Sequence, residues 1–315
     1  MSKIKKPVVL IVVIVIAIIA CAGTIGGLIY YFNNKITYQI NDTLPDGDGK
    51  RARVIILGGQ SNASGCSLDE YLKQNVSPQK YAEYQNGYDN VYINYLSGNN
   101  MSEGFVKCAT LQGELDGAFG PELGLAEKLN QMYPNELFFI VKCAWGGTNL
   151  YEQWLSPSSP GKTGKLYKHF IAFVSQSIKY LKSKDYDIKI EGMCWMQGES
   201  DSFSVDTATN YEVNLLNFIK DIRREFSKCS SKDGIAFIDA TIASNPVFWV
   251  YHEFVNQSKI NVSQQSSINA LIDTNKEGLD CSKEPMPNPD IPHYDSLSQI
   301  KLGHLFAEQV SQFFD

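Results

Sequence analysis

The chain is poor in histidine, in closely paired cysteines and in clustered basic charge. Its 315 residues hold four histidines and seven cysteines. No two cysteines have CxxC spacing, which excludes a zinc ribbon or finger as the organising feature. Past Lys6 there is no block of lysine or arginine, and the formal net charge is −6, which argues against nucleic acid as a partner. There is no internal repeat, no low-complexity tract and nothing that calls for a second globular domain. Apolar content of 43% and charged content of 20% are ordinary for a globular protein.

Charge is also missing from one long stretch. Lys3, Lys5 and Lys6 precede an uncharged run from Pro7 to Asn34, whose apolar part, Val8 to Phe32, is 25 residues. At about 1.5 Å per residue such a helix crosses a ~30 Å hydrocarbon core. Lysines before it and Tyr30, Tyr31 and Phe32 at its end fit a cytoplasmic N-terminus and an interfacial belt. Residues 1–34 are therefore expected as a membrane anchor, which would place the rest of the chain outside the cytoplasm. Two other readings export the chain as well: a cleaved signal peptide ending near Ala20-Cys21-Ala22, and a lipoprotein box ending at Cys21. Residues 35–50 carry Pro45 and two Asp-Gly steps and read as a linker. The six exported cysteines permit up to three disulfides, although Cys143 and Cys194, inside apolar runs, also suit a buried thiol.

The remainder, 51–315, alternates short apolar runs with amphipathic segments. Runs near 52–57, 91–95, 137–141, 188–196, 235–239 and 270–273 read as strands. Helices are expected from Pro121, over Lys165–Lys182, over about 206–227 and 259–268, and from about 296 to the end. Residues 66–90 read as polar and irregular. This pattern predicts a three-layer α/β/α domain around a mostly parallel, doubly wound sheet.

Three of the strands end in conspicuous turns: Gly59-Gln60-Ser61-Asn62, Ala144-Trp145-Gly146-Gly147-Thr148, and Gln197-Gly198-Glu199-Ser200-Asp201. A parallel sheet gathers such turns on one edge, where ligands bind. Ser61 offers a hydroxyl, or else merely caps a helix. A glycine after a strand exposes its N–H to a developing oxyanion, and Gln197 offers an amide. Of the histidines, His169 and His304 fall within amphipathic helices, where surface or packing roles are expected. His252 lies in an aromatic stretch. His293 follows Asp290 by three residues in a proline-rich loop, so Asp290 can hold Nδ1 and leave Nε2 free to deprotonate a serine. Glu122 is expected to complement the positive end of its helix. Trp145, Trp154 and Trp195 suit core or wall positions.

Taken together, GQSN, Gly120-Pro121-Glu122, AxGGTxL with Trp154, WxQGExD, DxxH and a final LGxxFA helix resemble the SGNH-type hydrolases. More narrowly they resemble the sialate O-acetylesterase and acetylxylan esterase group of carbohydrate esterases. The resemblance spans about residues 52–313. It implies Ser61 as nucleophile, His293 as general base, and Asp290 or Glu199 as the acid that orients it. It also implies the Ser61 N–H, the Gly146 N–H and the Gln197 amide as oxyanion donors, with Gly147 a less favoured one. Gln60, Asn62, Trp145 and Thr148, in the same turns, are candidate substrate contacts. Ala63 stands where the family often has methionine, and Ser298 where glycine is common. The activity implied is an extracytoplasmic serine esterase that takes an acetylated carbohydrate and needs neither metal nor organic cofactor. A non-catalytic carbohydrate-binding protein on the same fold, and an esterase of non-carbohydrate acyl groups, are the alternatives.

Overall fold

The computed structural model describes residues 36–314. The expected membrane anchor lies outside the described residues, and among those described no helix is long and apolar enough to cross a membrane. In chain order the elements are β1 (Arg51–Gly59), α1 (Ser61–Ser64), β2 (Ser67–Leu68), α2 (Asp69–Asn75), α3 (Pro78–Asn86), β3 (Val91–Ser97), β4 (Asn100–Met101), β5 (Val106–Lys107), β6 (Ala118–Phe119), α4 (Glu122–Met132), β7 (Leu137–Ala144), α5 (Lys165–Ser183), β8 (Asp187–Met196), α6 (Val205–Thr209), α7 (Tyr211–Glu225), β9 (Ala236–Ala240), α8 (His252–Ser263), β10 (Asn269–Ile272) and α9 (Ser296–Val310).

Six strands pair in parallel in the order β10-β9-β8-β1-β7-β3, and the short β4 and β5 add to β3 antiparallel. The chain runs outward from β1 to β3, returns to β7, then crosses to β8 on the other side of β1. The direction of winding therefore reverses at β1, and the crevice at its C-terminal end is the ligand position of such sheets. Register makes this concrete, for Gly59 at the end of β1 lies level with Ala144 of β7 and Met196 of β8. The three strand-end turns thus meet at one edge.

β1 is central because it is apolar on both faces; Val54, Ile55, Ile56 and Leu57 are wholly buried. Helices cover both sides of the sheet. A Cβ on Gly192 would meet Val310 of α9, whereas Trp195, three residues on and on the opposite face, packs on Phe218 of α7 with ring centroids 4.8 Å apart. The amphipathic helix α5 buries Leu166, Phe170, Phe173, Val174, Ile178 and Leu181, the stripe its sequence spacing predicts.

The structure departs from expectation in several places. Residues 66–90 contain α2 and α3 instead of irregular chain. Ser77 caps α3 by accepting from Lys80 N at 3.2 Å, with Pro78 in the first turn, but α3 buries only Tyr84 and α2 only Asp69 and Leu72, too little to write a period. The helix expected at 259–268 begins at His252 and ends at Ser263; His252 is buried at its start, its Nδ1 2.8 Å from Trp249 O. Residues 38–50 are not a free linker. Leu44 is buried, Tyr38 stacks edge-on against Phe173 and bonds His169 Nδ1 at 2.5 Å, and the Tyr180 hydroxyl receives the Thr43 and Leu44 N–H groups at 3.1 Å. His169, set between Tyr38 and Trp145, is a packing residue. The six described cysteines are all free.

Two buried acids join the layers. Glu122 does more than face its own helix end: its Oε2 lies 2.7 Å from Lys142 Nζ, both side chains wholly buried, and its Oε1 receives the Gly120 N–H at 2.8 Å. Lys142 also donates to Gln112 O at 3.0 Å, which ties the loop before β6 to the sheet. Glu127 of α4 accepts from Tyr84 at 2.6 Å and Lys80 at 2.9 Å and lies 2.8 Å from His304 of α9. Burial raises its pKa, but these three partners outweigh burial and hold it down to about 2.

Candidate active site

Ser61 opens the short helix α1 directly after β1. The turn between them needs Gly59 at φ +140°, where a Cβ would lie 1.9 Å from Met196 O. Ser61 is 9% exposed, and neither its Oγ nor its N–H is hydrogen-bonded among the described residues. The first N–H groups of a helix have no partner within it, so the Ser61 N–H is available to an incoming oxygen.

His293 comes from the loop before α9. Its Nδ1 lies 2.7 Å from Asp290 Oδ2, with the imidazole partly and the carboxylate half exposed. Asp290, not Glu199, is the acid that touches the histidine. No hydrogen bond joins His293 to Ser61 among the described residues; such contacts commonly tighten only in the complex with substrate.

What brings the two together is Asn62. Its Nδ2 donates to Pro292 O at 3.2 Å and to Glu199 Oε1 at 2.9 Å, and its Oδ1 receives the Tyr294 N–H at 3.0 Å. Its backbone carbonyl accepts from Gln299 of α9 at 2.7 Å. The residues on both sides of His293 are thereby pinned to the neighbour of Ser61. Asn62 is 4% exposed and fully engaged, so the expected substrate contact is instead the clamp of the histidine loop. Glu199 is 1% exposed, and its other oxygen has no partner. Burial pushes its pKa up, opposed by the Asn62 hydrogen bond. It makes no hydrogen bond to His293 among the described residues and is linked to the histidine loop through Asn62.

Other expected roles are also corrected. Gln60 is turned inward, 2% exposed, and its Oε1 receives Gln197 Nε2 and Gly198 N at 3.3 Å and Ser200 N at 3.2 Å, so it holds the third turn and faces no substrate. Gln197 is wholly buried. Its amide donates to Asp201 at 2.5 Å and to Thr148 O at 3.0 Å, and its Oε1 accepts from Tyr211 at 3.1 Å. With both amide hydrogens committed, it has none for an oxyanion. Thr148 is partly exposed, but its hydroxyl is engaged within the protein, donating to Trp145 O at 2.7 Å and accepting from Trp154 Nε1 at 2.8 Å. Trp154 and Trp195 are core, packed edge to face at 5.3 Å, whereas Trp145 stays partly exposed at the site.

Gly146 is where expected, but its N–H already has an acceptor. Glu114 Oε2 takes it at 2.8 Å and also takes the Ser64 hydroxyl, so one carboxylate bridges α1 and the glycine turn. A carboxyl oxygen is therefore bound at a candidate oxyanion donor. Sequence reading missed Glu114 because it lies in an aperiodic glycine-rich loop; its only signal is an acid between Gly113 and Gly117 ahead of the Gly-Pro-Glu turn. Beneath the third turn, Lys259 and Asp239 form a second buried pair at 2.6 Å. Burial raises Asp239 to about 6 against the pull of that lysine. On the Asp290 side of His293 a small cavity of about 80 Å³ is lined by Cys66, Leu68, Tyr71, Leu115 and Tyr294. The arrangement offers a hydroxyl nucleophile, an oriented imidazole and N–H donors, the parts of acyl transfer.

Comparison with known proteins agrees with this geometry. Residues 51–312 match the family model described as carbohydrate esterase, sialic acid-specific acetylesterase. A solved protein from Arabidopsis thaliana is 20% identical, with 83% of this chain and 99% of that one covered and a TM-score of 0.60. NanS is 15% identical over 86% of this chain and 98% of its own, with a TM-score of 0.58. The carbohydrate acetylesterase XAC1771 from Xanthomonas citri is 15% identical over 82% of this chain and 56% of its own, with a TM-score of 0.56. No curated protein sequence matches.

Proposed function

Since the chain belongs to the sialic acid-specific acetylesterase family of carbohydrate esterases and is a carboxylic ester hydrolase, we propose that it removes O-acetyl groups from a carbohydrate through an acyl-enzyme on Ser61. The observation that carries the mechanism is the Asp290–His293 pair, held beside the Ser61 turn by Asn62. Asp290 fixes the imidazole with Nε2 free. His293 takes the Ser61 proton as Oγ attacks the acetyl carbonyl, then returns it to the departing sugar hydroxyl. Water, deprotonated by His293, attacks the acetyl-serine and releases acetate and the free serine. The tetrahedral oxygen is held by the Ser61 N–H and, once the Glu114 carboxylate turns away, by the Gly146 N–H. Gln197 supports the turn instead of meeting the oxyanion.

The apolar N-terminal run supports a membrane-tethered enzyme with this domain outside the cytoplasm. The test is acetate release from p-nitrophenyl acetate and acetylated glycans by wild type, Ser61→Ala and His293→Ala. Each substitution should lower turnover at least ~10³-fold without loss of fold. Turnover that survives Ser61→Ala rules the mechanism out.

A further inference from the structure

A second recess has no part in the chemistry above. It holds about 430 Å³, within the ~300–1,000 Å³ of small-ligand sites. It is bounded by Tyr151, Glu152, Leu155, Lys162, Val213 and Asn214.

Its position follows from the topology. Tyr151 and Glu152 come after the turn that ends β7, and Asn214 sits in the first turn of α7, after the turn that ends β8. Those strands flank β1, so the groove stands on the same sheet edge as Ser61. Asp201 locks the two sides together. It accepts the Leu150 N–H at 2.8 Å and the Tyr151 N–H at 3.1 Å, and it also holds Gln197.

The chemistry of the lining points to a ligand. Asn214 is 4% exposed, borders the groove, and its side-chain amide makes no hydrogen bond among the described residues. The few atoms of Asn214 that reach the surface include its amide, which is therefore open to a ligand hydroxyl from the groove. Tyr151 is 43% exposed and offers a flat apolar face with a polar tip. Glu152 and Lys162 are exposed at the rim, with side chains that enter no ion pair or hydrogen bond among the described residues. One aromatic face, one unpartnered amide, one carboxylate and one ammonium suit a neutral polyhydroxylated ring. The mixed charge suits an anion poorly.

We propose that this groove is a subsite for a non-acetylated sugar unit of the substrate, so that the enzyme acts on an oligomeric glycan and not on an isolated acetylated monosaccharide. The inference rests on the acetylesterase reading and deepens it. Acetyl transfer takes place at Ser61, and the neighbouring chain lies across the end of β1 into the Tyr151–Asn214 groove.

The test compares kcat/KM on p-nitrophenyl acetate with that on acetylated xylo-oligosaccharides and chito-oligosaccharides of one to four units, using the chain with its N-terminal segment. Wild type should show kcat/KM rising with length in one series. Tyr151→Ala should lower the tetramer value roughly ten-fold relative to p-nitrophenyl acetate, the effect of losing one or two contacts. Asn214→Leu, which fills the amide's volume, should act the same way. Binding of unacetylated xylotetraose and chitotetraose to Ser61→Ala, read by calorimetry, needs no turnover. Saturation by one of them, lost with Tyr151→Ala, supports the subsite. No length dependence, no saturation by either, or equal behaviour of the Tyr151 variant overturns it. If p-nitrophenyl acetate is hydrolysed while lengths are not distinguished, the subsite fails and the esterase reading stands. If wild type hydrolyses no acetyl ester, the esterase reading itself fails.

Discussion

Replacing Asn62 by alanine tests how the catalytic loop is held. The substitution deletes three side-chain hydrogen bonds, to Glu199 Oε1, Pro292 O and Tyr294 N, all buried or nearly so. Each is worth about 1 kcal/mol net, and a buried group left unpaired adds about 1–3 kcal/mol. Glu199 is the group at risk. One of its oxygens already lacks a partner, and Asn62 is the main contact lowering its pKa against burial. Asn62→Ala should therefore cost about 3–5 kcal/mol if the loop stays in place, a large part of a typical ~5–15 kcal/mol stability. If the loop instead relaxes outward, less stability is lost, but His293 is displaced from Ser61. A shift of about 1 Å in such a constellation costs on the order of 10²-fold. In that second case kcat on p-nitrophenyl acetate falls about 100-fold with KM little changed, because Asn62 touches the histidine loop and not the substrate. Urea unfolding and steady-state kinetics on the same samples read both quantities. The double variant with Glu199→Gln should be less unstable than the two single effects add up to, by about 1–2 kcal/mol, since a neutral amide at 199 tolerates the lost partner better. A kcat within three-fold of wild type, together with an unchanged unfolding midpoint, would refute the clamp.

Three further outcomes are expected. Asp290→Asn should lower kcat about 10²- to 10³-fold, less than for a fully buried triad acid because the carboxylate is half exposed, while Glu199→Gln should lower it under ~10-fold; the same ester assay ranks them. A fragment beginning at Lys50 should melt several degrees below one beginning at Ile36, because it loses the burial of Leu44, worth about 2 kcal/mol, and the Tyr38 and Tyr180 contacts. The Glu127 carboxylate, held down to about 2 by His304, Tyr84 and Lys80, binds its proton less readily folded than unfolded. Its contribution is complete above the ordinary carboxylate pKa and is lost as pH falls from about 4.5 towards 2, so Glu127→Gln, less stable at pH 7, should close on wild type by about 2–3 kcal/mol over that range in urea titrations.

The sheet was legible because its signal is local. β1, β7 and β8 each hold an apolar run closed by a glycine-bearing turn, and each run carries its own evidence within ten residues. α2 and α3 were not legible, since each buries too few side chains to repeat at helical spacing. The start of α8 was hidden among aromatics that no period organises. The tether was misread for a related reason. Its polar composition is real, but Leu44 and Tyr38 pack against α5 and its surroundings, a match that exists only once α5 has folded.

The same division holds at the active site. Asp290 and His293 are three residues apart, so their pairing was a local geometric possibility. Ser61 was marked by the turn that presents it. The amides were not decided locally. Gln60, Asn62 and Gln197 have the same donor and acceptor groups whether they face a substrate or the interior, and sequence reading assigned all three to the substrate side. Asn62 finds its partners 137 and 230 residues away, and Gln60 and Gln197 find each other across 137. The sequence by itself determined the main strands, the turn that presents Ser61 and the three-residue spacing of Asp290 and His293, because those depend on position along the chain, but it left Asp290 and Glu199 both open as the partner of the histidine. Only the tertiary structure decided which polar groups face inward to hold the site and that Glu114 sits on the Gly146 N–H, because a hydrogen bond depends on separation in space.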